Sequence, residues 1–389
     1  MDNFTFLNPT EIIFGKGTQK EVGALTAKHS KKVLLHYGGG SIKRTGLYDQ
    51  VVQSLKEAGV EYVELGGAQP NPRLSLVRKG IDLVRSEGID FILAVGGGSA
   101  IDSAKCIAVG VPYEGDVWDF FTAKATPKTA LGVGVVLTIP AAGSESSNSL
   151  VITNEDGWYK LALAGDFAFP KFSILNPELT FTLPTYQIAC GITDMFAHVM
   201  ERYFTNTKNV DLTDKLCEAI MRSIILNGPK AISDPSNYDA QAEVMWCGAL
   251  AHNNLVGTGR ESDWASHRLE HELSAIYDIA HGAGLAIVFP AWMKHVYKHD
   301  VTRFAQYANK VFGVEYDFWN PEATALEGIA RLEHFLEGIG MPIRMPQDLE
   351  NIEGNIPIMA KKACEIDCPG VFVKLNPEEI EKIYRKALN

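Results

Sequence analysis

A change of hydrophobic pattern near residue 183 constrains the fold of this 389-residue chain more than any other feature. Before that point, helix-like segments near 46–59 and 74–88 alternate with the apolar runs KKVLLHY, EYVEL, DFILAV and VGVVLTI. Strands that alternate with helices indicate a parallel sheet with helices on both faces. After that point, segments with helical periodicity follow one another and strand-like runs are nearly absent. The sequence therefore predicts an α/β domain over residues 1–183 and an all-helical domain over residues 184–389, as the length allows.

Three consecutive glycines, Gly96–Gly98, end the apolar run FILAV, and Ser99 and Asp102 follow in the start of a predicted helix. Glycines let a phosphate approach the backbone, and Ser99 could cap the helix so that amide N–H groups and the positive end of the dipole face a ligand. The segment is neither GxGxxG nor GxxxxGK[ST], so neither fingerprint applies. A tight turn without a ligand is the alternative, but we favour phosphate binding because a turn alone does not need three glycines.

A second glycine turn, Gly38–Gly40, follows the first predicted strand and leads into Ser41, Lys43 and Arg44. NAD-specific sites use an acidic residue near such a turn, whereas a 2′-phosphate needs that acid absent and basic or hydroxyl donors present. No acid occurs between residues 32 and 48, which favours NADP over NAD; an exposed turn with two solvated cations is the alternative. Small hydroxyl residues also follow the run VGVVLTI, beginning at Thr138, where α/β sheets bind ligands.

Histidines and one aspartate recur at helical spacing in the second half. Asp194 and His198 are four residues apart, His267 and His271 repeat that spacing, and His281 follows soon after. Residues at i and i+4 share a helix face, and imidazoles with a carboxylate suit Zn²⁺ or Fe²⁺ and not Ca²⁺ or Mg²⁺. A hydrogen bond on a helix surface is the alternative for any single pair.

The net charge and the cysteine spacing limit which partners and which cellular compartment are expected. A formal charge of −11 disfavours nucleic acid and anionic membranes as partners, and no apolar stretch is long enough for a bilayer. Residues 1–18 lack the pattern of a signal peptide, and the six cysteines contain no CxxC pair, so we expect a cytoplasmic chain with reduced thiols. Cys364 and Cys368, the closest pair, are expected to be two independent thiols.

The motifs together resemble those of the iron-containing (group III) alcohol dehydrogenases, in the NADP-linked butanol dehydrogenase or aldehyde reductase branch. They run nearly end to end: Pro70-Asn71-Pro72, GGGSxxDxAK at 96–105, Gly143-Ser144-Glu145, Leu183-Pro184, Gly191–Asp194 with His198 and Glu201, His267 with His271, and His281–Ile287. The resemblance implies a dehydroquinate synthase-like architecture, with a Rossmann-like dinucleotide-binding domain before the helical one. Ala142 and Asn176 depart from the family pattern, which puts cofactor affinity in doubt but not the metal.

The resemblance also implies site residues. The ligands of one divalent metal, usually iron and sometimes zinc, would be Asp194, His198, His267 and His281, with His271 near the substrate as a proton relay or supporting residue. The cofactor-binding residues would be Gly97, Gly98, Ser99 and Asp102, with Thr138 and Lys160 beside them, and Gly38, Gly39 and Ser41 at the position that selects NAD or NADP.

The function expected from these observations is hydride transfer between NADP(H), or else NAD(H), and a short-chain primary alcohol or aldehyde such as butanol or butanal. Two alternatives remain open: a dehydroquinate synthase-like metal-dependent lyase, and a non-catalytic nucleotide- or metal-binding protein. The lyase would need additional cationic groups for a polyanionic substrate, and only Arg202 and Arg268 lie close in sequence to the proposed ligands. A homodimer is also expected.

Overall fold

The structure is a computed structural model and describes residues 1–388. Within these residues eight strands occur, all before residue 176. They are β1 (Glu11–Phe14), β2 (Lys32–Tyr37), β3 (Glu61–Leu65), β4 (Phe91–Gly96), β5 (Gly132–Leu137), β6 (Ser149–Asn154), β7 (Tyr159–Ala164) and β8 (Phe172–Leu175).

α-Helices occur throughout the described chain. Those before residue 184 are α1 (Val22–Ala27), α2 (Ser41–Arg44), α3 (Leu47–Glu57), α4 (Leu74–Glu87), α5 (Gly98–Gly110) and α6 (Trp118–Phe121). Those after it are α7 (Thr185–Tyr203), α8 (Asp211–Ser233), α9 (Tyr238–His252), α10 (Ala265–Tyr277), α11 (His281–Val296), α12 (Val301–Phe312), α13 (Pro321–Gly338), α14 (Ile352–Ala363) and α15 (Pro377–Leu388). The predicted α/β class, with strands in the first half and helices in the second, is confirmed.

Six strands form a parallel sheet in the order β1-β8-β5-β4-β2-β3. Alternate residues of β4 face opposite sides of the sheet, with Ile92 in one apolar cluster and Leu93 in the other. Both residues are fully buried, which explains the continuously apolar run. Since β2, β4 and β5 are neighbours and parallel, their carboxyl ends bring the three glycine- and hydroxyl-rich segments to one edge of the sheet.

The hairpin of β6 and β7 was not anticipated from the sequence. Its two strands pair antiparallel in a separate two-stranded sheet, with Ser149 opposite Ala164 and Asn154 opposite Tyr159. Asp156-Gly157 lies between the strands, and such a dipeptide between β-type residues is a strong hairpin signal.

The chain separates into two compact units that are not two consecutive halves. The α/β unit contains residues 7–184 and 234–253, and the helical unit contains residues 1–6, 185–233 and 254–389. Helix α9 belongs to the α/β unit, because Met245 and Ala249 join the apolar cluster on one face of the sheet. In the helical unit, Phe204 anchors a group of buried rings, with Phe304 at 4.5 Å and Trp292 at 5.6 Å between ring centroids.

Two further features concern the expectations made from composition. Among residues 1–388, no helix combines the length and the apolar character that a membrane crossing requires. Cys364 and Cys368 form a disulfide, so the expectation of two independent thiols is wrong; four residues apart just beyond α14, they lie close enough to bond. Within the described residues, the four other cysteines form no disulfide.

Candidate functional site

Three helices of the helical unit carry the predicted metal-binding side chains. Asp194 and His198 lie one turn apart on α7, His267 and His271 lie one turn apart on α10, and His281 is the first residue of α11. Asp194, His198, His267 and His271 are each at most 6% exposed. Such burial is unusual for these residue types and requires partners.

Asp194, His267 and His281 converge on one point. The Nε2 atoms of His267 and His281 lie 3.8 Å and 3.7 Å from Oδ1 of Asp194, and one ligand atom from each residue lies within 4.8 Å of the others. Oδ1 of Asp194 and Nε2 of His267 are buried without a hydrogen-bond partner. A buried polar atom without a partner costs free energy, so a divalent cation fits both the chemistry of these donors and their lack of partners.

His198 and His271 lie beside this group. Nδ1 of His198 is 3.3 Å from Oδ1 of Asp194, and its ring centroid is 4.6 Å from that of His267. The ring centroid of His271 is 5.7 Å from that of His281, and these two histidines form a second cluster with Glu270. The structure therefore brings all five predicted side chains together.

Two buried glutamates bond to the Nδ1 atoms of His267 and His281, on the side of each ring away from Asp194. Oε1 of Glu201 accepts a hydrogen bond from Nδ1 of His267 at 2.8 Å, and Oε2 of Glu270 is paired with Nδ1 of His281. Burial lowers the pKa of His267, but the carboxylates of Asp194 and Glu201 outweigh that effect and raise it to about 9. Sequence reasoning noted Glu201 only within a motif and missed Glu270, although Glu270 lies three residues after His267, at helical spacing.

Trp264 packs against two of the imidazoles. Its ring centroid is 5.8 Å from that of His198 and 5.2 Å from that of His267, in edge-on contacts. Its φ of 63° is uncommon for a bulky residue and marks local strain that the surrounding packing must support. Phe196, another aromatic residue close in sequence to the proposed ligands, packs instead against Phe335 with ring centroids 5.6 Å apart.

In the α/β unit, the glycine turn joins β4 to α5. Gly97 precedes the first helical residue, and a β-carbon added to it would lie 3.0 Å from that of Ile139, while one on Gly98 would lie 3.3 Å from that of Ala142. The backbone is therefore closely approached from the segment after β5. The expectation that Ser99 caps the helix is wrong, because α5 begins at Gly98, one residue before Ser99, and no side chain caps it.

Asp102 and Lys105 organise the segment that follows β5. Asp102 accepts hydrogen bonds from Oγ of Ser144 at 2.6 Å and from the Val151 amide at 2.9 Å. Lys105 is 1% exposed, and its ammonium donates to the carbonyls of Ser144, Ser147 and Ser149 at 2.7, 2.9 and 3.0 Å. Burial lowers the pKa of Lys105 to about 8 despite the nearby carboxylates of Asp102 and Glu145.

The other predicted cofactor residues lie in the same unit. Thr138 directly follows β5, and its amide donates to the Gly96 carbonyl at 3.0 Å, so it lies beside the glycine turn. Lys160 is buried in β7, which the sequence did not predict as a strand.

The second turn, Gly38–Gly40, lies at the carboxyl end of β2 and leads into α2, which begins at Ser41. An acid reaches this turn from the neighbouring strand β3. Glu64 lies 3.2 Å from Nζ of Lys43, and Tyr37 donates a hydrogen bond to it at 2.7 Å. No acid occurs between residues 32 and 48, yet the fold places one beside Lys43 from outside that interval.

A glycine turn in a parallel sheet and a buried histidine–aspartate cluster are together typical of enzymes that use a nucleotide cofactor and a metal ion. Two family models match the chain, iron-containing alcohol dehydrogenase over residues 9–177 and the C-terminal domain of the same family over residues 188–388. The chain belongs to the iron-containing alcohol dehydrogenase family. The predicted family, enzyme class and fold are thereby confirmed.

Three similar proteins illustrate the family. The probable NADH-dependent butanol dehydrogenase 1 of Bacillus subtilis is 44% identical over 388 residues, and the alignment covers 100% of both chains. The NADPH-dependent aldehyde reductase YqhD of Escherichia coli is 38% identical over 367 residues, or 93% of each chain. The crystal structure of NADH-dependent butanol dehydrogenase A from Thermotoga maritima superposes with a TM-score of 0.95 at 39% identity, covering 100% of this chain and 99% of that one.

Proposed function

We propose that this protein interconverts short-chain primary alcohols and aldehydes, such as butanol and butanal, with NADP(H) and one divalent metal, Fe²⁺ in preference to Zn²⁺. The convergence of Asp194, His267 and His281 is the observation that carries the proposal, together with the buried Oδ1 of Asp194 and Nε2 of His267, which have no hydrogen-bond partner. When bound, the metal would supply Lewis acidity at the substrate oxygen, and the nicotinamide would carry the hydride.

The residues of the helical unit would hold the metal and orient the substrate. Asp194, His198, His267 and His281 are the proposed ligands, and one carboxylate with three imidazoles suits Fe²⁺ as well as Zn²⁺. His271 is buried beside His281 without being required as a ligand, which supports a role in moving a proton to or from the substrate oxygen.

The residues of the α/β unit would hold the cofactor. Gly97 and Gly98 leave the backbone accessible to the pyrophosphate, and Ser99, Asp102, Thr138 and Lys160 are proposed to line the cofactor site.

NADP(H) is proposed over NAD(H) because Gly38 and Gly39 carry no side chain and Ser41 and Lys43 can donate to a 2′-phosphate. Glu64 weakens this preference, since it pairs with Lys43. Relatives named as NADH- and NADPH-dependent both occur, which agrees with a preference set by a few exposed side chains.

The cationic side chains close in sequence to the proposed ligands have other partners, which argues against a polyanionic lyase substrate. Arg202 stacks over the Trp264 ring at 4.7 Å and donates to the His198 carbonyl at 2.7 Å. Arg268 donates to the carbonyls of Ala363 and Asp367 at 2.9 and 3.0 Å.

The test is NADPH oxidation with butanal by protein loaded with Fe²⁺ or Zn²⁺ and by protein treated with a chelator. We expect turnover that disappears on chelation and returns with metal. His267→Ala should lose both bound metal and turnover, whereas His334→Ala, which changes an exposed histidine, should keep both. Turnover by metal-free His267→Ala, or no NADPH consumption with any of several aldehydes, would contradict the proposal.

A cytoplasmic homodimer completes the proposal. The sheet ends on one side in β1, an edge strand on which Phe14 is 38% exposed, and such an edge favours association. Light scattering of the purified protein measures the mass directly.

A further inference from the structure

Glu201 holds His267 at two points. Oε1 of Glu201 accepts hydrogen bonds from the His267 backbone amide at 3.0 Å and from its Nδ1 at 2.8 Å. The glutamate is 0% exposed, and its second oxygen, Oε2, is buried without a hydrogen-bond partner. A glutamine oxygen could accept both bonds at a lower desolvation cost than a buried carboxylate, so the two bonds alone do not explain why a glutamate stands here.

Glu270 holds His281 in the same manner. It is 0% exposed, with Oε2 paired to Nδ1 of His281 and Oε1 accepting a hydrogen bond from Ser274. The chain makes room for this carboxylate at Gly284, where an added β-carbon would lie 2.7 Å from Oε1 of Glu270. The absence of a side chain at Gly284 therefore leaves the space that the Glu270 carboxylate occupies.

The two glutamates impose one orientation on two rings. With Nδ1 of each imidazole bonded to a carboxylate, the proton of the neutral ring resides on Nδ1 and Nε2 keeps its lone pair. Both Nε2 atoms face the same oxygen, Oδ1 of Asp194, at 3.8 and 3.7 Å. Each ring is therefore fixed in the tautomer and direction that a metal ligand needs.

We propose that Glu201 and Glu270 are positioning residues that orient His267 and His281 and add negative charge behind them, so that they set the affinity for the divalent metal. This inference rests on the proposed function, because it assumes that these histidines bind metal. Carboxylates in this position strengthen a ligand by fixing its tautomer and raising its basicity.

Glutamine and alanine variants separate the two contributions. Glu201→Gln and Glu270→Gln keep an acceptor for Nδ1 but remove the charge, whereas the alanine variants remove both. We expect a loss of Zn²⁺ affinity of about 10- to 100-fold for the glutamine variants and a greater loss for alanine. The measurement is competition for Zn²⁺ with a chromophoric chelator, and the visible bands of Co²⁺-loaded protein report the ligand geometry.

Glu272→Gln is the matched control, because Glu272 is a buried glutamate on the same helix, α10, whose neighbour is Lys362 at 3.6 Å and not a proposed ligand. It should keep wild-type Zn²⁺ affinity and Co²⁺ bands. Thermal unfolding of the chelator-treated proteins identifies variants that merely fold poorly.

The outcomes are distinct. Weaker Zn²⁺ binding and altered Co²⁺ bands in folded Glu201 and Glu270 variants support the inference. Wild-type affinity and bands in those variants overturn it, as does a loss confined to the stability of the metal-free protein. If wild-type protein binds neither Zn²⁺ nor Co²⁺, the proposed function itself fails and the inference fails with it.

Discussion

Replacing Lys105 by methionine tests how the segment after β5 is held. The substitution leaves the carbonyls of Ser144, Ser147 and Ser149 without their shared donor. The Ser144 carbonyl keeps the Ser147 amide as a donor at 3.4 Å, so two carbonyls lose their ammonium donor without this substitute. Each buried carbonyl without a donor costs about 1–3 kcal/mol, or roughly 4 kcal/mol for two. Burial of the ammonium already costs the wild type about 3 kcal/mol, because its pKa falls from 10.5 to about 8. The variant should therefore lose about 1 kcal/mol of unfolding free energy at pH 7.

The lowered pKa of Lys105 also predicts how the stability of the wild type changes with pH. Between pH 8 and pH 10.5 the folded protein binds fewer protons at Lys105 than the unfolded chain does, so stability rises with pH across that window. Below pH 8 the full cost of the buried ammonium is present. From pH 7 to pH 10 the wild type should gain about 2.5 kcal/mol relative to Lys105→Met, which has no proton to lose there.

Urea unfolding of the metal-free proteins at pH 7 and pH 10 measures the loss of unfolding free energy in Lys105→Met and the change of this loss with pH. Lys79→Met, which changes an exposed lysine of α4, corrects for the general loss of positive charge at high pH. NADPH titration of the same variants shows whether the loosened segment also weakens cofactor binding, as expected. A difference between wild type and Lys105→Met that stays constant or shrinks toward pH 10 would refute a buried ammonium with a lowered pKa.

Three further predictions concern the cofactor and the helical unit. Glu64→Gln should increase the ratio of kcat/KM for NADPH to that for NADH severalfold, since Lys43 is released for a 2′-phosphate, and Lys43→Met should decrease it; equal ratios would show that the pair does not set preference. Gly98→Val should weaken NADPH binding, followed by fluorescence, because its side chain meets Ala142, while Zn²⁺ affinity stays at the wild-type value. Burial raises the pKa of Glu272 from 4.5 to about 7, so between these pH values the folded state binds more protons than the unfolded chain, and the wild type loses stability as pH rises. Glu272→Gln does not titrate there and should gain stability relative to wild type from pH 5 to pH 7. The absence of such a gain in urea unfolding would contradict the prediction.

The elements visible in the sequence are those whose physical signal is local. The strands β2, β4 and β5 are buried on both faces and so read as apolar runs, and helical spacing identified Asp194 with His198 and His267 with His271. What the sequence could not show depends on distant parts of the chain. Glu64 acts on the Gly38–Gly40 turn only because β3 pairs with β2.

Burial explains why the sequence did not reveal Glu270 as a residue of the candidate site. A glutamate in a helix is usually a solvated residue, so nothing local marks Glu270 as a residue with no exposure. Only the approach of α11, with Gly284 beside it, reveals its partner.

The placement of α9 affects how this protein can be divided. Its residues follow α8 in the chain, yet Oγ of Ser146 donates to the Ala249 carbonyl at 2.7 Å and Oγ of Ser149 lies 2.6 Å from Nε2 of His252. A fragment of residues 1–184 would therefore expose the sheet face that Met245 covers and remove the contacts of Ser146 and Ser149 with α9. Neither unit can be expressed as one uninterrupted piece of the natural chain, so exchanging cofactor units between relatives requires carrying residues 234–253 along with residues 7–184.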